Sequence, residues 1–221
     1  MSEQRWERLG AATGIVFVVI GVAAYLIAGT PPKAGASAQE VISYHHDNRD
    51  ALRMSNYLWG VAGIFFLWFL GSLRAHLRRA EGDTGRLSAV VFGSGLVAGT
   101  IFTVGTIVGS SIVEHTPEDA TLTLHDVAVQ ATNYASFGFI AFAVATALIS
   151  GRTKVYPAWL GSLAWLVALA GVGASLALLV DSGPFATGEV FGNVAFGLFF
   201  LWFLGLSIVT MQQVGKPVPR S

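Results

Sequence analysis

The chain has no cysteine. Disulfides, thiolate catalysis and cysteine-ligated metals are therefore excluded. Charge is scarce too: Asp, Glu, Lys and Arg make up 12% of the residues, about half the ~25% of a soluble domain. In six apolar segments, 9–29, 54–73, 87–113, 127–149, 155–180 and 190–214, scarcity becomes absence, for none holds a charged residue or a histidine in its interior. Proton relays and voltage sensors place ionisable side chains within the bilayer, and a membrane haem usually needs axial histidines there. The empty interiors argue against all three. No Walker loop, dinucleotide fingerprint or nucleophile elbow occurs. The chain also lacks an extended basic surface interleaved with aromatics, so no nucleic-acid partner is expected.

What is present is apolar length. The chain of 221 residues is 53% hydrophobic, and about 20 residues at ~1.5 Å each suffice to cross a hydrocarbon core. Six spans fit, and they leave little for a soluble domain. The organisation expected is one transmembrane domain over 1–214 with a short cytoplasmic tail over 215–221. The first span is read as retained and not as a cleaved signal, because it is long and its flank mixes charges.

A net charge of zero hides an asymmetry. Ten of the 13 basic residues fall on one side of the membrane: Arg5, Arg8, Arg74, Arg78, Arg79, Arg86, Arg152, Lys154, Lys216 and Arg220. Only Lys33, Arg49 and Arg53 fall on the other, with nine of the 13 acids. Basic residues in short loops stay cytoplasmic. This predicts both termini inside, in a multi-pass protein of the plasma membrane. The basic inner face would attract anionic lipid headgroups.

Between the spans, Pro31 and Pro32 are expected to end the first helix. Ser37 and Glu40 have the spacing of a capping box. They predict an amphipathic helix at the outer interface, running on through Leu52 into the second span. The segment 77–85 reads as a basic inner turn and 151–156 as another. Pro117 and Pro157 suit first helical positions, and 181–184 reads as a tight outer turn.

The run Phe65-Phe66-Leu67-Trp68-Phe69-Leu70-Gly71 recurs as Phe199-Phe200-Leu201-Trp202-Phe203-Leu204-Gly205. Both copies lie in even-numbered spans, so they are parallel copies. Asn56-Tyr57 and Asn133-Tyr134 extend the echo to span 4. The fold expected is thus an all-α membrane protein of six transmembrane helices, built as three parallel-related hairpins with a short outer amphipathic helix. The aromatic runs could line a site for a lipid or quinone, or pack helices and anchor them at the interface.

Three further groups carry possible chemistry. Gly95, Gly99, Thr103, Thr106 and Ser110 share one face of span 3, as the wall of a polar pathway or as a seam where small residues admit close packing and hydroxyls bond across. Either use predicts a central span 3 with span 1 or span 5 against it. Asn56, Asn133 and Asn193 stand near the outer ends of the even spans and could converge on a polar ligand, with Thr103 and Thr106 beside them. The outer loops hold His45, His46, His115 and His125, with Asp47, Glu114 and Asp126 adjoining. Imidazole and carboxylate are zinc ligands, so a zinc or acid–base site is conceivable there, although the spacing matches no tight metal motif.

Two stretches, Tyr57-Leu58-Trp59-Gly60 through Leu70-Gly71-Ser72-Leu73-Arg74 and Tyr156-Pro157-Ala158-Trp159-Leu160-Gly161, resemble uncharacterised six-helix integral membrane proteins of actinobacteria. The resemblance implies fold and location and brings no activity. The functional expectation is a non-enzymatic protein that binds, transports or assists a lipid-like or apolar ligand, alone, as a homo-oligomer or as an accessory to another membrane protein. The alternative is a membrane enzyme with its site on the extracytoplasmic face.

Overall fold

Six helices in the computed structural model are long and apolar enough to cross a membrane, and the chain is a multi-pass membrane protein. The structure describes residues 3–32, 36–82, 85–115, 117–180 and 182–215; the side chains of 113–115, 118 and 119 also lie outside the described set. The helices are α1 (Glu3–Ala28), α2 (Ala38–Asp47), α3 (Arg49–Glu81), α4 (Arg86–His115), α5 (Glu118–Thr153), α6 (Ala158–Ser175), which continues as a 3-10 turn Leu176–Leu178, and α7 (Val190–Gln213). All but α2 are spans. Each span packs against the span before and after it, and α7 closes on α1, so the six form a ring in chain order. Short connections between antiparallel helices favour such neighbours. The described chain begins and ends at one end of the ring, the terminal end; α2 lies at the other, the α2 end.

Local chemistry explains the boundaries, several of which differ from expectation. Helix α1 stops at Ala28, before the prolines, because Gly29 adopts φ +71°, a left-handed turn that suits glycine. The hydroxyl of Tyr44 donates to the Ala28 carbonyl at 2.9 Å, satisfying an acceptor that the helix end leaves open. The capping box of α2 forms: Ser37 Oγ accepts from the Glu40 N–H at 3.2 Å, and Glu40 Oε2 accepts from the Ser37 N–H at 2.7 Å. Helix α2 does not run on into α3. It ends at Asp47, and Asn48 departs from helical geometry at φ −105°, ψ 18° while its side-chain amide donates to the Tyr44 carbonyl at 2.9 Å. An asparagine that bonds locally competes with the helix for its own backbone.

At the terminal end, the expected basic turn is mostly helix: α3 continues to Glu81, carrying Arg78 and Arg79. Glu81 then caps α4, accepting from the N–H groups of Leu87 at 2.8 Å and Ser88 at 2.9 Å. Arg79 pairs with Glu7 of α1. Gln213 ties α7 to two neighbours, accepting from His76 at 3.2 Å and donating to the Val155 carbonyl at 2.7 Å. Pro117 and Pro157 each stand one place before their helices, as N-caps. The expected tail from 216 onward and Asp181 of the outer turn lie outside the described residues.

The core is aromatic and is built by the even spans α3, α5 and α7 with α1. Phe203 sits at its centre, 4.7 Å from the Phe69 ring, 5.0 Å from Phe17 and 5.7 Å from Phe66. Both copies of the repeated run turn the same face inward: Phe69 and Phe203 are fully buried, while Leu67 and Leu201 are exposed. They part most at one position, for Trp68 is 57% exposed and Trp202 0%, while Leu70 is buried where Leu204 is half-buried. Trp202 lies edge-on to Phe142 of α5 at 5.5 Å, whereas Trp68 stacks on Trp6 at the outside of the ring. The run is therefore chiefly packing, with interface-type exposure at Trp68 alone of the two tryptophans.

Span 3, which is α4, is not placed as expected. Among the described residues its neighbours are α5, α3 and α2, and neither span 1 nor span 5 reaches it. The three hydroxyls of its small-residue face bond within the helix. Thr103 donates to the Gly99 carbonyl at 2.7 Å, Thr106 to Phe102 at 3.1 Å and Ser110 to Ile107 at 2.7 Å, all within α4. Such back-bonding satisfies a hydroxyl in an apolar setting without a partner helix. Among the glycines of this pairing the tightest is Gly138 of α5, where an added Cβ would lie 2.9 Å from both Ala98 N and Ser94 O of α4.

Candidate functional site

The aromatic core fills the ring only partway toward the α2 end. Above it lies a chamber of about 210 Å³. Phe17, Phe66, Phe199 and Phe200 form its floor, and Trp59, Phe102, Phe139 and Phe196 its walls. Residues 186–188 of the α6–α7 connection contribute the roof. The Asn133 side chain donates to Thr187 Oγ1 at 3.2 Å, fastening that roof to α5. Phe185 stacks on Phe191 at 4.2 Å, which anchors the same connection to α7.

The space is open because glycine stands where side chains would fill it. A Cβ on Gly63 or Gly192, both in the lining, would meet nothing within 4 Å. No described lining residue carries a charge. The polar groups are Thr103, Thr132, Asn133, Ser136 and Thr187. Thr132 and Ser136 donate to carbonyls of their own helix, at 3.1 Å and 2.6 Å, so their oxygens keep lone pairs for a donor. A cavity of ~150 Å³ in an apolar core takes up benzene. This chamber is larger, and it suits a ring or a short alkyl segment bearing one neutral polar group. An ionised ligand would lose its hydration without a counter-charge, which is strongly unfavourable.

A second space, of about 430 Å³, runs as a groove between α3 and α4 on the other side of one wall. Trp59, Phe102 and Thr103 belong to both spaces. The Trp59 and Phe102 rings meet edge to face at 4.9 Å and form the partition. Asn56, Thr106, Ser110 and Arg53 line the groove toward the α2 end.

The three asparagines thus have three settings. Asn133 lines the chamber and Asn56 the groove. Asn193 accepts from the Tyr25 hydroxyl at 3.0 Å and donates to the Glu189 carbonyl at 3.2 Å, which ties α7 to α1. Thr103 serves both spaces and Thr106 the groove alone. The chamber was hard to read from sequence. Its floor is the packed face of the repeated aromatic run, and its vacancy comes from single glycines that look like any others in a chain with 26.

The histidines separate into two kinds. His45 of α2 and His125 of α5 meet, with Nε2 and Nδ1 3.2 Å apart and rings edge to face. His46 is exposed beside Asp47, at 3.1 Å, and Asp126 is exposed. The side chains of His115 and Glu114 lie outside the described residues. Among the described residues no three His, Asp or Glu side chains stand close enough to hold a metal. At ~54 Å, α5 is longer than a ~30 Å hydrocarbon core, and His125 rides on its projecting end, where α2 packs. The pair clasps α2 to the bundle.

Burial, with His125 as a second cause, pulls the His45 pKa down from 6.5 to about 4. The docked helix therefore favours neutral His45, and protonation favours release. Docking is complete above about pH 6.5 and weakens as pH falls toward about 4. Hydrogen exchange of the α2 amides, corrected for intrinsic rates, is expected to quicken across that window in the wild type, and His45→Phe should weaken the change. Exchange that ignores pH in both proteins would rule out the clasp.

No protein family, curated protein or solved structure matches the chain. The geometry of the chamber and the clasp thus carries the functional argument.

Proposed function

We propose that the protein is a non-enzymatic membrane protein that binds an uncharged, lipid-like molecule in the chamber and carries or presents it to another component of the membrane. The single observation behind this is a chamber of about 210 Å³ between the spans with an aromatic floor and no charge in its described lining. Ligand pockets are concave, mostly apolar and furnished with a few polar groups, and this one has all three traits. A packing defect would gain nothing from the polar cluster at its roof.

The orientation that fits places the arginine-rich terminal end in the cytoplasm of a plasma-membrane protein, against anionic headgroups, and the α2 end outside. On this reading α2 is the outer interfacial helix. The hairpins α1–α3, α4–α5 and α6–α7 are the three parallel units, and the chamber opens toward the outer leaflet.

Native mass spectrometry of protein released from lipid nanodiscs, with metal analysis of the same sample, tests the function. A co-purified neutral lipid or quinone whose release accompanies loss of mass at one-to-one stoichiometry is expected. A stoichiometric metal with no bound lipid would favour the alternative, a membrane enzyme with a site on the outer face.

A further inference from the structure

The geometry points to a lateral entrance: we propose that the chamber is loaded from the outer leaflet through the groove between α3 and α4, past a gate formed by Trp59 and Phe102, and that its ligand is a membrane-dissolved, alcohol-type amphiphile. The inference rests on the chamber being a ligand site.

Four observations carry it. The two spaces share Trp59, Phe102 and Thr103, so these three residues stand between them. The two rings meet edge to face at 4.9 Å, a contact that a rotamer change can open. The groove is bordered by Tyr57 and Ile107, which are 69% and 59% exposed on the outside of the ring, where lipid lies. Finally, the roof is fastened by the Asn133–Thr187 hydrogen bond as well as by the Phe185–Phe191 stack, whereas Trp59 and Phe102 meet through a ring contact alone.

The groove also specifies the ligand's polar end. Thr103, Thr106 and Ser110 direct their hydroxyl hydrogens to carbonyls within α4. Their oxygens can then only accept further bonds. Asn56, in the same groove, offers an amide N–H₂ as well as its carbonyl. Arg53, also in the groove lining, has Asp50 3.9 Å away as its counter-charge, so a group that both donates and accepts, without charge, matches this row: a hydroxyl on an alkyl or ring body. Its apolar body would pass between Trp59 and Phe102 toward the phenylalanine floor, leaving the hydroxyl to step from Thr106 to Thr103, one helical turn apart.

The test uses full-length protein in phosphatidylcholine nanodiscs and an uncharged, diazirine-bearing long-chain alcohol delivered from donor vesicles. Photolabelling of α5 and α7 peptides is followed against time before irradiation. Gly60 lines the groove and a Cβ there would meet nothing within 4 Å. Gly60→Leu should therefore block the path without disturbing packing, and should slow loading several-fold with final occupancy unchanged. Trp59→Phe and Phe102→Ala should each speed loading, and Phe185→Ala, which frees the roof from α7 without touching the chamber lining, should leave the rate as in wild type. Faster loading in Phe185→Ala with no response to Gly60→Leu would overturn the lateral route and place the entrance at the α2 end. Absence of chamber labelling in every variant, including wild type, would instead overturn the ligand-binding reading itself and this inference with it.

Discussion

Leucine at Gly63 together with leucine at Gly192 is expected to leave the protein folded and its chamber unable to hold a ligand. Both positions line the chamber, one on α3 and one on α7, and an added Cβ at either would project into open space. Glycine within a helix is less favourable than leucine by up to ~1 kcal/mol, and the new side chains would bury apolar surface against the phenylalanine floor. Stability should therefore hold or rise slightly, by a few degrees in thermal melts of nanodisc samples. Retention of the neutral diazirine alcohol should meanwhile fall at least ~10-fold, which corresponds to about 1.4 kcal/mol of lost binding. Opposite signs for stability and binding separate a site from a scaffold. A double variant that binds as well as wild type would show that the chamber is not where the ligand sits, and one that unfolds would show that the space was not free.

The spans were legible because a bilayer demands a long apolar run for each crossing, and all six segments read from the sequence lie within or close to observed helices. Helix ends were less legible. Gly29 stops α1 before Pro31 can, and Asn48 breaks a helix whose periodicity predicted continuity, since in both places a local backbone preference outweighed the pattern. Glu81 reads as one charge in a basic turn. Its role as a cap for α4 depends on the chain reversing within four residues, which composition does not encode.

Packing partners were harder still. Span 3 carries the most obvious run of small and hydroxylated residues, which suggested a central helix. The glycines that press helices together lie largely elsewhere. On α1, an added Cβ at Gly14 would come within 2.7 Å of Phe69 and 2.8 Å of Ser207, while the Ser207 hydroxyl donates to the Ala11 carbonyl at 2.5 Å. A small residue lets backbones approach only where the partner is shaped to enter, and a single sequence gives no sign of the partner. The candidate site shows the same limit. From the sequence, His45 and His125 read as members of an outer-face histidine group, and Asn133 and Thr103 as candidate ligand contacts. Which of them meet was decided by the ring order of the helices and by the break at Asn48, which sets α2 against α5.

Gly138→Leu is expected to have the largest effect of any single substitution on assembly. At this position an added Cβ would stand 2.7 Å from the Ala98 Cβ, 2.9 Å from the Ala98 nitrogen and 2.9 Å from the Ser94 carbonyl oxygen. Two of these three atoms are helix backbone, which cannot turn aside as a side chain can. Even alanine requires α4 and α5 to part, at a cost of about 1–3 kcal/mol for overpacking; leucine would force them apart by several ångströms and empty the most extensive helix pairing in the ring. Because lipid tails are as apolar as leucine, little hydrophobic force exists to draw the pair back together, and close packing is itself the main attraction. Gly138→Leu should therefore give aggregated or degraded protein in size-exclusion profiles of detergent extracts, and Gly138→Ala a monodisperse protein melting several degrees lower. Gly109→Leu, on the same pair of helices but with nothing within 4 Å of its Cβ position, should behave as wild type. A tolerated Gly138→Leu would mean that α4 and α5 do not meet as described. The groove whose wall α4 forms, and the gate at its base, would then have to be drawn again.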